Sequence, residues 1–163
     1  MLNNKFIIVG MADLNIAKQT EALTTLGLGS CVGIALYDQY AKVAGLAHCM
    51  LPDSTLIQNN SNIAKFVDTA VVKLIADMTA AGARKDRLKA KIAGGAQMFA
   101  FNATNESMRI GDRNVEATIK TLRILGIPVT GQDTGETFGR TVELYAEDGR
   151  FHIKTIGHGS YLI

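Results

Sequence analysis

The chain has 163 residues and a mass of 17.5 kDa, which suits a single domain, residues 1–163. Hydrophobic residues make up 47% and charged residues 20%, so there is enough apolar surface to offset the ordering entropy, and disorder is excluded as the main state. Seventeen basic against fifteen acidic residues leave a net charge of +2, which argues against a protein built to wrap nucleic acid.

No apolar run approaches the roughly 18 residues that a membrane-spanning helix needs. At the N-terminus Lys5 precedes a short apolar stretch from Phe6 to Met11, and Asp13 follows at once, which is too little for a secretory signal. The two cysteines, Cys31 and Cys49, match no C-x-x-C pair and no set of zinc ligands. A cytoplasmic protein with reduced thiols, no bound metal and no insertion into membrane is therefore expected.

In chain order, Lys5 to Gly10 reads as a short buried strand. Leu23 to Ser30 reads as a loop, because Gly27 and Gly29 lower helix and strand preference together. Cys31 to Tyr37 suits a strand with Val32, Ile34 and Leu36 on one side, and Lys42 to Met50 suits its neighbour across the short turn Asp38-Gln39-Tyr40. From about Asn62 to Ala81, Ile63, Phe66, Val67, Ala70, Val71, Leu74, Ile75 and Met78 follow the three-four spacing of a buried helical stripe. Ser61 or Asn62 can cap its start and Gly82 can close its end. Leu88, Ala90 and Ile92 alternate with Lys89 and Lys91, as in a strand with one wet face. A second helix is expected from about Asp112 to Leu125, with Val115, Ile119 and Leu122 inside and Gly126 as the stop. Ile127 to Val129 reads as a short strand. Thr141–Ala146 and Phe151–Ile156 flank Asp148-Gly149, a hairpin signal. Strands outnumber helices and are mostly joined by tight turns, which predicts an α+β fold rather than a doubly wound parallel sheet.

Phosphate-loop, nucleophile-elbow and H-E-x-x-H motifs are absent. What remains is Cys31, where a glycine loop becomes a strand, and His48, near the end of the neighbouring strand. A thiol attacks poorly until an imidazole takes its proton, so cysteine plus histidine is a minimal nucleophile pair. Backbone N–H groups around Gly29, Ser30 and Cys31 could converge on an oxyanion. The plainer alternative is that Cys31 packs as a small hydrophobe and His48 is a structural histidine. Cys49 points to the opposite face of the strand from His48, so it is expected in the core. His152 and His158 stand isolated.

The wording of several segments goes further. Thr25-Leu26-Gly27-Leu28-Gly29-Ser30-Cys31-Val32-Gly33, Ala47-His48-Cys49-Met50-Leu51-Pro52, Lys91-Ile92-Ala93-Gly94-Gly95-Ala96-Gln97-Met98-Phe99, Ile110-Gly111-Asp112-Arg113-Asn114 and Gly139-Arg140-Thr141 together resemble the CheD family, the chemoreceptor glutamine deamidases. The resemblance implies a β-sandwich-like core flanked by helices, as in a cysteine-hydrolase deamidase. It implies a hydrolase that converts selected glutamines of methyl-accepting chemotaxis receptors to glutamate without a cofactor, and a trio of Cys31, His48 and Thr25. It also implies a possible partner, a CheC-type response-regulator phosphatase, so that a non-catalytic activator of that phosphatase is the alternative function. In this trio Thr25 would orient the imidazole, while Gly29 and Ser30 lend backbone support.

The chain departs from the family pattern within Gln132–Thr137, where Glu136 stands in place of a glycine found in many relatives, and in carrying Cys49 beside the histidine. A basic cluster of Arg84, Lys85, Arg87, Lys89 and Lys91, interrupted by Asp86, reads first as a solvated face. Lys89 and Lys91 could alternatively steer the chain toward acidic receptor helices. Met98, Phe99 and Phe101 could form an apolar partner patch or lie in the core.

Overall fold

The structure, a computed structural model, describes residues 4–98 and 109–163. Two five-stranded sheets carry the fold. The first contains β1 (Lys5–Ile8), β3 (Glu21–Leu28), β8 (Arg140–Tyr145), β9 (Phe151–Thr155) and β10 (Gly159–Leu162), in the order β1-β3-β8-β9-β10. The second contains β2 (Asp13–Lys18), β4 (Val32–Asp38), β5 (Val43–Cys49), β6 (Lys89–Gly94) and β7 (Val129–Thr134), in the order β2-β5-β4-β6-β7. Both sheets are mixed: β1 runs parallel to β3 and β6 parallel to β7, and the remaining pairs are antiparallel.

Side-chain alternation along β4 and β5 builds a three-layer molecule. Ala35, Ala44 and Leu46 turn toward the first sheet and join Leu23, Leu28, Val142, Leu144, Phe151 and Ile153 in one core. Val32, Ile34, Leu36, Val43, Ala47 and Cys49 turn the other way, onto helices α1 (Val67–Ala80) and α2 (Ile110–Ile124). On α1 the stripe Val67, Ala70, Val71, Leu74 and Met78 is fully buried. Burial of each large apolar side chain in it contributes about 1.5–3 kcal/mol. This is the expected α+β fold with a sheet-rich core, its helices packed on one face of the sandwich.

Several elements differ from the sequence expectation. Residues 23–28, expected as a loop, belong to β3. Thr24 and Thr25 favour the pleat, and Gly27, at φ +67°, sits where the register with β8 shifts, so the glycine marks a bulge inside a strand. The first helix begins later: Ile63–Lys65 form a separate 3-10 turn that Asn62 caps by accepting from Ala64 N–H, and the α-helix starts at Val67. On α2 the fully buried face is Gly111, Asn114, Thr118 and Leu122, while Val115 and Ile119 are only partly buried. The strand expected over 127–129 starts at Val129 and runs on to Thr134. Two edge strands are not among the expected elements: β2, although Asp13-Leu14-Asn15-Ile16 alternates polar and apolar, and the exposed β10.

Candidate active site

Cys31 immediately precedes β4, and His48 is the penultimate residue of β5. Those strands are antiparallel, with Gly33 opposite His48 and Val32 opposite Cys49. Cys31, two residues before Gly33, shares its face, so it is the diagonal neighbour of His48. Such neighbours lie about 7–8 Å apart at Cα, within the combined reach of a thiol and an imidazole. Cys31 belongs to the core between the two sheets, whereas Cys49 belongs to the core under the helices. The two thiols therefore occupy opposite faces, as expected for Cys49.

Thr25 reaches the same point from the other sheet. Its Oγ1 lies 2.7 Å from His48 Nδ1 and 2.7 Å from the carbonyl oxygen of Val9. A hydroxyl has one proton, and Val9 O can only accept it, so Thr25 accepts in turn from Nδ1–H. This assigns the His48 tautomer from its partners and leaves Nε2 with a lone pair. Nε2 is buried and has no hydrogen-bond partner among the described residues. Burial lowers the pKa of His48, so the ring is a neutral base at neutral pH.

Cys31 is 8% exposed, and burial pushes its thiol up while its own backbone N–H acts in the opposite direction. Burial thus favours the uncharged form of both groups, the thiol and the imidazole. A thiol that starts protonated needs a neighbouring general base before it can attack, and a neutral imidazole can serve as one.

The backbone around Cys31 is held through its carbonyls. Gly29 O accepts from Ala96 N–H at 2.8 Å, Cys31 O from Gly95 N–H at 2.8 Å, and Ser30 O from Asn114 Nδ2 at 2.9 Å. The same Nδ2 donates to Met50 O at 3.0 Å. Carbonyl and N–H of one trans peptide point in opposite directions, so anchoring Gly29 O and Ser30 O inward turns the N–H groups of Ser30 and Cys31 the other way. The glycines explain how the chain passes here: a Cβ on Gly95 would lie 2.3 Å from Val115 Cγ2, and one on Gly111 would lie 2.6 Å from the carbonyl oxygens of Gly95 and Ala96.

Asn114 was quoted only as part of a motif. The apolar periodicity of α2 passes it by, because the helix buries a polar side chain there. A polar residue on the same face as Gly111, Thr118 and Leu122 is the signal that could have found it.

Lys89 and Lys91 lie elsewhere. They stand opposite Tyr37 and Ala35, at the far end of β4. Six residues of strand separate Tyr37 from Cys31, about 20 Å. Lys91 Nζ donates to Ile163 O at 2.6 Å, and the concavity it lines with Lys89, Tyr37 and Asp148 is remote from His48. Arg84 pairs with Asp86, and Arg87 with buried Asp38. Met98 is exposed and passes near Gly29, while Phe99 and Phe101 fall outside the described residues. His152 contacts Glu143, and His158 stacks on Phe138. Among the described residues no cluster of three metal-ligating side chains occurs.

A family model described as CheD chemotactic sensory transduction matches residues 50–155. A protein of Caldanaerobacter subterraneus subsp. tengcongensis, named probable chemoreceptor glutamine deamidase CheD, is 54% identical over 158 residues, 97% of this chain and 98% of its own. The chemoreceptor glutamine deamidase CheD of Halalkalibacterium halodurans is 51% identical over 96% of this chain and 97% of its own, and that of Bacillus subtilis is 48% identical over 96% and 95%.

Proposed function

The chain belongs to the CheD family, and from that premise we propose that it is a protein-glutamine deamidase that hydrolyses selected glutamine side chains of methyl-accepting chemotaxis receptors to glutamate. Cys31 is the nucleophile and His48 the base. The observation that carries this reading is the Nε2 of His48, buried on the Cys31 face with no partner among the described residues while Thr25 holds Nδ1.

In the first step Cys31 Sγ attacks the δ-carbonyl of the glutamine and its proton passes to His48 Nε2. The N–H groups of Ser30 and Cys31, with the Gly29–Ser30 turn as their support, stabilise the oxyanion, a contribution of about 3 kcal/mol per donor in comparable sites. The imidazolium then protonates the departing nitrogen, ammonia leaves, and a thioester remains. His48, neutral again, takes a proton from water, which attacks the thioester. Glutamate is released and Cys31 recovers its proton. Thr25 keeps Nε2 facing the sulfur throughout by accepting from Nδ1–H. Every atom and proton is supplied by the chain, the substrate and water.

Residues 1–163 work as one domain, placed in the cytoplasm beside the receptors' helical signalling regions. Among the described residues no helix is long and apolar enough to cross a membrane. A CheC-type phosphatase is a second partner of the same mouth, where exposed Met98 passes near Gly29. Lys89 and Lys91, being distant, serve at most as a peripheral contact for acidic receptor helices.

The test is incubation of the chain with a purified chemoreceptor cytoplasmic domain, followed by peptide mass analysis. The reading predicts the mass gain of exchanging an amide nitrogen for oxygen at glutamine peptides, absent with Cys31→Ala. Binding of the receptor domain or of a CheC-type phosphatase without any deamidation would support the non-catalytic alternative.

A further inference from the structure

Asn114 stands outside the strands that carry Cys31, His48 and Thr25, yet it is fully buried and its amide contacts both active-site segments. One partner, Ser30 O, belongs to the peptide that joins Ser30 to Cys31, and the other, Met50 O, lies two residues beyond His48. Both partners are carbonyls, which only accept, so the amide has one allowed orientation and both its N–H groups are used. Its Oδ1 is buried and has no partner among the described residues. A half-satisfied buried amide weakens a fold relative to an apolar side chain of the same size. Packing alone therefore does not account for it.

The Ser30–Cys31 bond is trans, as all peptide bonds in the described chain are. A carbonyl drawn toward α2 aims the Cys31 N–H away from α2, and that N–H acts to lower the thiol's pKa against the effect of burial. The donor on Ser30 O also polarises the peptide and so strengthens its N–H as a donor.

We propose that Asn114 is a positioning residue for the deamidation: it fixes the Ser30–Cys31 peptide with its N–H toward the reacting sulfur and oxyanion, and locks that peptide in register with the end of the His48 strand. Asn114 touches neither substrate nor sulfur and acts through the backbone it holds. The proposal rests on the deamidase reading and names a part of that machinery that lies on a separate element.

The experiment uses Asn114→Ala and the isosteric Asn114→Asp, with Leu122→Val as a control for loss of packing on the same helix face. Two readouts are taken: kcat and KM on a purified chemoreceptor cytoplasmic domain, and the pH midpoint for iodoacetamide labelling of Cys31, resolved from Cys49 by peptide mapping. Both Asn114 variants are expected to lose kcat by about 10-fold to 100-fold with KM within about 3-fold, since the contact acts on the reacting centre rather than on binding. Their labelling midpoint moves to higher pH, while Leu122→Val keeps the wild-type midpoint. Wild-type kcat in folded Asn114 variants would overturn the proposal, as would an unmoved midpoint. Failure of both variants to fold would also overturn it, since Asn114 would then be a strut of the fold. A wild-type chain that labels normally but leaves receptor glutamines intact would instead overturn the deamidase reading, and the labelling midpoints would still report on Asn114.

Discussion

Thr25 has one proton to give, and Val9 O takes it. Replacing Thr25 with valine keeps the volume and removes the acceptor for Nδ1–H, which frees the ring to adopt the wrong tautomer. One hydrogen bond of this kind is worth about 1 kcal/mol, so kcat/KM should fall roughly 5-fold. His48→Ala should cost about 10²–10⁴-fold, the usual share of a general base. Thr25→Val losing as much as His48→Ala in a deamidation assay would remove the orienting role. The buried imidazole also sets a pH dependence. Its pKa is lowered by burial, so the folded state favours the neutral ring. Activity should therefore hold through neutrality and decline only below the ordinary imidazole value of about 6.5. Stability follows the same sign: His48 contributes fully above that value and its contribution is lost as pH falls through the folded pKa, a loss that His48→Gln abolishes. Glu136 adds a separate prediction. It adopts φ +60°, a left-handed conformation that disfavours side chains, and its carbonyl accepts from Gln97 N–H beside the segment that backs Cys31. Glu136→Gly should raise stability by about 0.5–1 kcal/mol in urea unfolding. The departure from the family pattern at this position thus has a visible conformational cost.

At the scale of elements, α2 matters more to the site than its sequence suggests. Its first turn presses Gly111 onto the backbone of Gly95 and Ala96, which in turn hold the carbonyls of Cys31 and Gly29. A Cβ at Gly45, by contrast, would meet Met78 and Leu74 side chains on the other helix, 2.6–2.8 Å away. Gly111→Ala and Gly45→Ala should each cost about 1–3 kcal/mol of stability by overpacking. Only Gly111→Ala should also depress kcat, and equal kcat in the two variants would contradict the coupling of α2 to the nucleophile turn. The sequence made β4, β5, the alternating face of β6 and the β8–β9 hairpin legible, because alternation and Asp148-Gly149 act locally. It hid β3, where Gly27 makes a bulge but β8 supplies the pairing. Cys31 and His48 were legible as a pair because one hairpin joins them. Thr25 came only with the family resemblance, since its contact with His48 crosses between sheets, and Asn114 acquired no role because nothing local links α2 to Ser30.

On the scale of the molecule, the site lies at one end of the sandwich, where both sheets and the first turn of α2 converge. The basic residues lie at the other end of β4. There Asp38 is fully buried: burial raises its carboxyl, and bonds from the N–H groups of Arg84, Ala41 and Tyr40 and from Arg87 Nε outweigh this, holding it below the usual carboxylate range. Its stabilisation is present above the ordinary carboxylate pKa and is lost as pH falls through the lowered value. Asp38→Ala should destabilise by about 1–3 kcal/mol, because the backbone N–H groups of Tyr40, Ala41 and Arg84 lose their acceptor. The same change should leave the kcat of the folded fraction near wild type, since the active site is remote. Rapid acid quenching of the chain during turnover of a receptor cytoplasmic domain, with the modified residue mapped by mass, reads the covalent step at Cys31 itself. A glutamyl adduct on the peptide containing Cys31, diminished in His48→Ala, is the predicted result, and an adduct on Cys49 or any other residue would contradict it.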